Sequence, residues 1–201
     1  MIWILIAEDQ VMVREAIASL LDLQDDLEVV AQVGRGDEVL AAARAARPDV
    51  ALLDIEMPGA TGLDVLAELV AALPTCRILI LTTFGRSGYL RRAMEGGAAG
   101  FLLKDAPAAE LSSAIRRAMA GERIVDPGLA AAALSEGDSP LTAREREVLA
   151  ASREYATVAQ LAAALHLSPG TTRNHLSAIM GKLGASSRVQ AQRHAEEKGW
   201  L

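Results

Sequence analysis

Val50-Ala51-Leu52-Leu53-Asp54-Ile55-Glu56-Met57-Pro58-Gly59 runs four apolar residues into a lone carboxylate, then into a proline and a glycine. A continuous apolar run bounded by turn residues reads as a strand buried on both faces, the habit of parallel sheets. Asp54 then stands at the carboxyl end of a central strand, the edge where open α/β sheets bind their ligands. Taken alone, Asp54 reads as readily as a turn or helix-capping aspartate.

The flanking segments decide between these readings. Ile2-Trp3-Ile4-Leu5-Ile6-Ala7 is a second apolar strand and ends in Glu8-Asp9. Ile78-Leu79-Ile80-Leu81 ends in Thr82-Thr83, and Phe101-Leu102-Leu103 ends in Lys104. Parallel strands bring these ends to one edge, so three carboxylates, a hydroxyl and an ammonium converge there. Clustered carboxylates repel unless a cation or a proton intervenes. Oxygen ligands of this kind suit Mg²⁺. An aspartate beside Mg²⁺ and a lysine can act as a nucleophile toward phosphorus and form an aspartyl phosphate.

Between the strands lie helical stretches. Val11–Leu21 has helical periodicity, an acidic surface loop covers Asp22–Glu28, and Val29–Val33 is a further strand. The alanine-rich stretch Gly36–Arg47 is stopped by Pro48, and Leu63–Leu73 by Pro74. Tyr89–Gly96 and Pro107–Ala120 complete the set. Five alternations of strand and helix predict a doubly wound α/β domain: a five-stranded parallel sheet of flavodoxin-like order over residues 1–122.

Residues 123–140 read as a linker. Asp126-Pro127-Gly128 and Ser135-Glu136-Gly137-Asp138-Ser139-Pro140 are turn-rich, with one or two helical turns at Leu129–Leu134 between them. Residues 141–201 read as a small all-α domain of four helices. Thr142 and Glu145 form a capping box, Thr157 and Gln160 a second, and Ser168 caps a third helix with Pro169 at its first position. Ser187 starts the fourth helix. Two helices joined by the tight turn His166-Leu167 make a helix-turn-helix pattern. In the third helix Leu176, Ile179, Met180 and Leu183 share the core face. Thr171, Arg173, Asn174, Ser177 and Lys182 occupy the other, short-chained and hydrogen-bonding with an arginine near the N-terminus, as suits a major groove. An ordinary solvated face has the same composition.

Charge is divided unevenly. Residues 1–139 carry 12 Lys+Arg and 21 Asp+Glu, whereas residues 140–201 carry 8 and 5, so an acidic part precedes a modestly basic one. Aromatic residues are 3% of the chain, which argues against stacking platforms for single-stranded nucleic acid. Cys76 is alone, so no intrachain disulfide forms, and it reads as a small buried hydrophobe. The N-terminal apolar run is too short to span a bilayer, and no signal-peptide pattern is visible, so a cytoplasmic protein without membrane insertion is expected.

Glu8-Asp9, the D-x-x-M-P-G segment at Asp54, Thr82, Phe101 and Lys104 together resemble a response-regulator receiver domain. Thr82 lies 22 positions before Lys104, and Phe101 three before it, the family's spacing. The resemblance implies Asp54 as phosphoacceptor, with Glu8, Asp9, Asp54 and the backbone carbonyl of Glu56 holding Mg²⁺. It also implies that Lys104 bonds the phosphoryl group and that Thr82 and Phe101 form the hydroxyl–aromatic switch pair. Downstream, Leu141-Thr142-x-Arg144-Glu145-x-Glu147-Val148-Leu149, Ala159-Gln160-Leu161-Ala162 and Thr171-Thr172-Arg173-Asn174-His175 resemble the LuxR-type helix-turn-helix. The combination is that of the NarL/FixJ class.

The resemblance implies a transcriptional regulator rather than an enzyme: a sensor histidine kinase phosphorylates it, and a homodimer binds double-stranded promoter DNA through Thr171, Thr172, Arg173, Asn174, Ser177 and Lys182. The receiver would dimerise through its first and fifth helices. Ile6–Gln10, Asp54–Gly59, Leu81-Thr82-Thr83-Phe84 and Lys198-Gly199-Trp200 are most similar to regulators paired with membrane-fluidity sensor kinases. Departures stand at Tyr155, where a glycine is usual, at Val158 and Ala159, at Asn174 and Ser177, and at Asp105, where many receivers have proline. Two other classes remain: a haloacid-dehalogenase-type phosphatase, which needs a second aspartate where Glu56 stands, and a receiver acting through protein contacts alone.

Overall fold

The structure is a computed structural model that describes the chain apart from Phe84, Ala106 and residues 136–138, and the side chains of Ala108, Glu197 and residues 132–135. The sequence readings on Phe84 and on Glu136-Gly137-Asp138 therefore lie outside the described residues. The chain divides into two bodies, residues 1–85 with 89–131, and residues 86–88 with 132–201.

The first body is a parallel sheet with strand order β2-β1-β3-β4-β5-β6. Its strands are β1 (Ile2–Ala7), β2 (Leu27–Val33), β3 (Val50–Leu53), β4 (Arg77–Thr82), β5 (Gly100–Leu103) and β6 (Ile124–Val125). The connecting helices are α1 (Val11–Asp22), α2 (Gly36–Ala46), α3 (Gly62–Ala72), α4 (Ser87–Glu95) and α5 (Ala108–Met119), and α6 (Pro127–Ser135) follows β6. All four residues of β3 are buried, as a strand covered on both faces requires. Ile4, Ile6, Leu52, Leu79, Leu81 and Ile115 share one core cluster. Cys76 is buried, and burial pushes its thiol up to about 11.

The sheet has six strands, not the five expected from the sequence. The added strand pairs Gly100 with Ile124 and Phe101 with Val125. Ile124 is buried in the main core, and Gly100 admits it, because a Cβ there would stand 2.8 Å from Ile124 Cβ. Two residues between turn signals carry no readable alternation, so the strand is indistinguishable from linker in the sequence. The connecting segment thus begins as a sheet edge beside the strand that carries Phe101.

The second body contains α7 (Ala143–Ala151), α8 (Val158–Ala164), α9 (Pro169–Leu183) and α10 (Arg188–Glu197). Both expected capping boxes form, Thr142 with Glu145 and Thr157 with Gln160. Ser168 accepts the Thr171 N–H at 3.0 Å with Pro169 at the first helical position. Between α8 and α9, His166 takes the left-handed conformation at φ 54°, which closes the turn. Val148, Leu149, Leu161, Leu176, Ile179, Leu183 and Ala191 form the core of this body. The Tyr155 ring packs against it and its carbonyl accepts Arg188 Nη1 at 2.9 Å, so the residue that replaces the usual glycine is used structurally. Among the described residues, no helix is long and apolar enough to cross a membrane.

Candidate functional site

Register sets the site. β1 lies between β2 and β3, and β3 pairs β4, which pairs β5, so the carboxyl ends of β1, β3, β4 and β5 open on one edge. Asp54 continues the β3 ladder by donating its N–H to Ala7 O at 2.9 Å. Lys104 likewise donates its N–H to Thr82 O at 2.8 Å. Glu8, Asp54, Thr82 and Phe101 are buried, whereas Asp9 and Glu56 are exposed.

Lys104 Nζ lies 2.5 Å from Glu8 Oε2 and 3.0 Å from Asp54 Oδ2. The other Asp54 oxygen accepts the Ile55 N–H at 2.8 Å. Burial raises the Asp54 carboxyl pKa, with the Lys104 contact opposing it. Burial likewise raises that of Glu8, where Lys104 again opposes and the Asp54 charge adds. Burial works against the Lys104 ammonium, but its two carboxylate partners outweigh it and hold its pKa above the ordinary lysine value.

Glu8 Oε2 is buried, and the Lys104 ammonium at 2.5 Å is what it meets among the described residues. One carboxylate oxygen from each of Glu8, Asp9 and Asp54 can be found within 4.8 Å of one another. Three carboxylates outnumber the one ammonium among them, so this oxygen-only donor set fits a hard divalent cation. The structure thus brings Glu8, Asp9, Asp54 and Lys104 together, with Thr82 and Phe101 on the adjacent strands.

On the second body, Thr171, Arg173, Asn174 and Ser177 are exposed on α9, with Arg173 in the helix's first turns. Thr172 corrects the sequence reading. It is fully buried, and its hydroxyl donates to Ser168 O at 3.1 Å, so it belongs to the core stripe with Leu176 and Ile179 rather than to a DNA-facing surface. Lys182 Nζ bonds Glu145 Oε2 at 2.7 Å, tying the last turn of α9 to the capping box of α7. Lys182 foremost, then the Thr142 N–H, holds the Glu145 carboxyl below the usual glutamate range. The sequence places Lys182 on the DNA-facing side and does not show this pairing, because Glu145 stands far away in the chain. Arg14, whose guanidinium reaches the Glu8 carbonyl, is absent from the residues that the sequence singles out. A basic residue one turn into the helix that follows the acidic pair is the available signal.

Compared with known proteins, residues 4–116 match the response regulator receiver domain, and residues 139–195 match the bacterial regulatory proteins of the luxR family. The chain is 45% identical to the transcriptional regulatory protein DesR of Bacillus subtilis, covering 100% of both chains. It is 33% identical to the DNA-binding transcriptional activator DevR/DosR of Mycobacterium tuberculosis, covering 98% of this chain and 95% of that one. The crystal structure of the response regulator ChrA of a heme-sensing two-component system matches with a TM-score of 0.59 and 33% identity, covering 100% and 98%.

Proposed function

This chain belongs to the response regulators that join a receiver domain to a LuxR-type DNA-binding domain, a family of transcriptional regulators, and from that premise we propose how its own residues run the switch. Asp54 is the phosphoacceptor, and a sensor histidine kinase is the donor. The observation that carries this reading is the Lys104 ammonium held between Glu8 and Asp54 at the mouth of a parallel sheet. We assign the receiver to residues 1–122, the connecting segment to 123–140 and the DNA-binding domain to 141–201. The compartment is the cytoplasm, where promoter DNA is reached. The likeness to regulators paired with membrane-fluidity sensor kinases makes a kinase of that kind the first candidate.

Glu8, Asp9, Asp54 and the Glu56 carbonyl are the groups that would hold Mg²⁺, and the ion would supply charge neutralisation for phosphoryl oxygens there. An Asp54 carboxylate oxygen forms a bond to phosphorus as the bond from phosphorus to the kinase imidazole nitrogen breaks, and the imidazole, already protonated on its other ring nitrogen, leaves as the neutral base. Lys104 loses Asp54 as a carboxylate partner and bonds a phosphoryl oxygen instead. Thr82 turns toward the same group, and Phe101 follows into the space released. Such a ligand shifts a two-state equilibrium only by its differential affinity for the two states, and these contacts supply that difference.

The surface near α1 and α5 supports dimerisation there. An apolar groove of about 330 Å³ runs between them, lined by Met12, Ala16, Leu20, Pro107 and Leu111 among others. Met12 is 83% exposed and Leu20 41%. A single, weakly basic DNA module binds poorly, and a joined pair gains effective concentration. Light scattering is expected to show a mainly monomeric unphosphorylated chain and a dimer after phosphodonor and Mg²⁺, with retention on promoter DNA rising in parallel. Equal masses in both states, where DNA binding does change, would exclude dimerisation as the switch.

Arg173, Thr171, Asn174 and Ser177 form the DNA-reading face, while Lys182, paired with Glu145, stands at the far end of α9. Arg173→Ala is expected to cost about 1–3 kcal/mol in operator affinity and to relax specificity at one position. A gel-shift titration with unchanged affinity would remove Arg173 from the interface.

A further inference from the structure

Arg14 stands one turn into α1, at the end of that helix nearest the acidic pocket. Its Nη1 donates to the Glu8 main-chain carbonyl at 2.5 Å. The Glu8 N–H donates to Val33 O at 3.1 Å on the neighbouring strand, so the Glu8 residue is held at both backbone polar groups. The Glu8 side chain bends back as well, with Oε1 accepting the Gln10 N–H at 3.2 Å. That leaves Oε2 facing Lys104.

A second observation places the guanidinium in a formed seat. Residue 34, just after β2, is glycine, and a Cβ there would stand 3.2 Å from Arg14 Nη1 and 3.9 Å from Glu8 O. The end of β1, the first turns of α1 and the end of β2 therefore meet at one side chain. α1 has no side-chain cap at Gln10 and no acidic residue in its first turn. In place of a cap, this corner is tied to its helix by Arg14.

We propose that Arg14 is a positioning residue for the divalent cation. By fixing the Glu8 carbonyl, it sets the spacing at which Glu8 and Asp9 meet Asp54. This rests on reading the acidic cluster as a Mg²⁺ site. Mg²⁺ requires near-ideal octahedral geometry and tolerates misplaced ligands poorly. Groups that orient metal ligands are typically worth 10–100-fold in affinity.

A purely electrostatic role has the opposite sign. A guanidinium behind a cation site repels the cation, so removing its charge alone would tighten Mg²⁺ binding. Removing its hold on the corner loosens it. The sign of the change in Kd therefore separates the two roles.

The test is Mg²⁺ titration of the full chain by calorimetry, paired with acetyl phosphate labelling rates across Mg²⁺ concentrations. Arg14→Met is expected to raise the Mg²⁺ Kd about tenfold, with the labelling rate at saturating Mg²⁺ held within about twofold. Arg14→Lys, which keeps a donor, should fall between. An unchanged or lowered Kd in a folded Arg14→Met protein overturns the proposal. Should that variant fail to fold by circular dichroism, Gly34→Val decides, since its branched side chain claims the guanidinium's seat. There a raised Kd sustains the proposal and an unchanged one overturns it. A wild-type chain that takes up no Mg²⁺ removes the cation reading and this inference together. Wild-type binding with an unaltered variant removes the inference alone.

Discussion

Acetyl phosphate with Mg²⁺ is expected to add one phosphoryl group to the wild-type chain and none to Asp54→Asn. The amide has the carboxylate's shape, so the loss is chemical: an amide oxygen is a far weaker nucleophile toward phosphorus, and a neutral side chain releases the Lys104 ammonium that the carboxylate holds at 3.0 Å. The fold should survive, because burial already works against the Asp54 charge by raising its pKa. Intact-mass spectrometry reads the result directly, and thermal unfolding of the same sample checks the fold. Full labelling of a folded Asp54→Asn protein would move the acceptor elsewhere, Asp9 being the next carboxylate in the cluster.

The second large effect is steric. Gly62 opens α3, and its N–H donates to Ile55 O at 3.0 Å. A Cβ there would stand 2.0 Å from the backbone oxygen of Asp54. Alanine is ordinarily the better helix former by about 1 kcal/mol. Here the clash is with a main chain that cannot yield by rotating a side chain, so Gly62→Ala is expected to cost at least about 3 kcal/mol. Labelling at Asp54 should fall with it, because the acceptor's own peptide must move. Gly181→Ala is the control. It lies within α9, where a Cβ meets nothing within 4 Å, and should gain about 0.5–1 kcal/mol. Chemical denaturation curves for the two variants are expected to move in opposite directions. An undisturbed midpoint for Gly62→Ala would mean that α3 does not approach β3 as closely as described.

The parts of the fold that could be read from sequence are those in which local pattern and tertiary role coincide. Val50–Leu53 is apolar without interruption because both of its faces are covered. Thr142 and Thr157 announce helices because a side chain three residues on returns the hydrogen bond. The strand-end carboxylates were legible because several apolar runs end in charged or hydroxyl residues that parallel pairing brings to one edge. β6 was not, since two residues give no period and its burial depends on Gly100, well upstream. Thr172 misled because its hydroxyl suits a groove, although its spacing from Leu176 and Ile179 follows the core stripe. The Lys182–Glu145 and Arg14–Glu8 contacts join residues by the reach of long side chains, which no periodicity reports.

The parallel ladder that joins β1, β3, β4 and β5 has a further consequence, for the life of the chain before it ever signals. Glu8, Asp54 and Lys104 lie far apart along the polypeptide and become neighbours only when the strands between them have paired. Such non-local closure is the slow part of folding, because loop entropy is lost before any contact repays it. A nascent or partly unfolded chain that has not yet docked β5 holds an aspartate but no ammonium beside it. Under the proposed phosphotransfer, competence to accept phosphate would be a property of the finished sheet, and labelling at Asp54 would report that the sheet has closed.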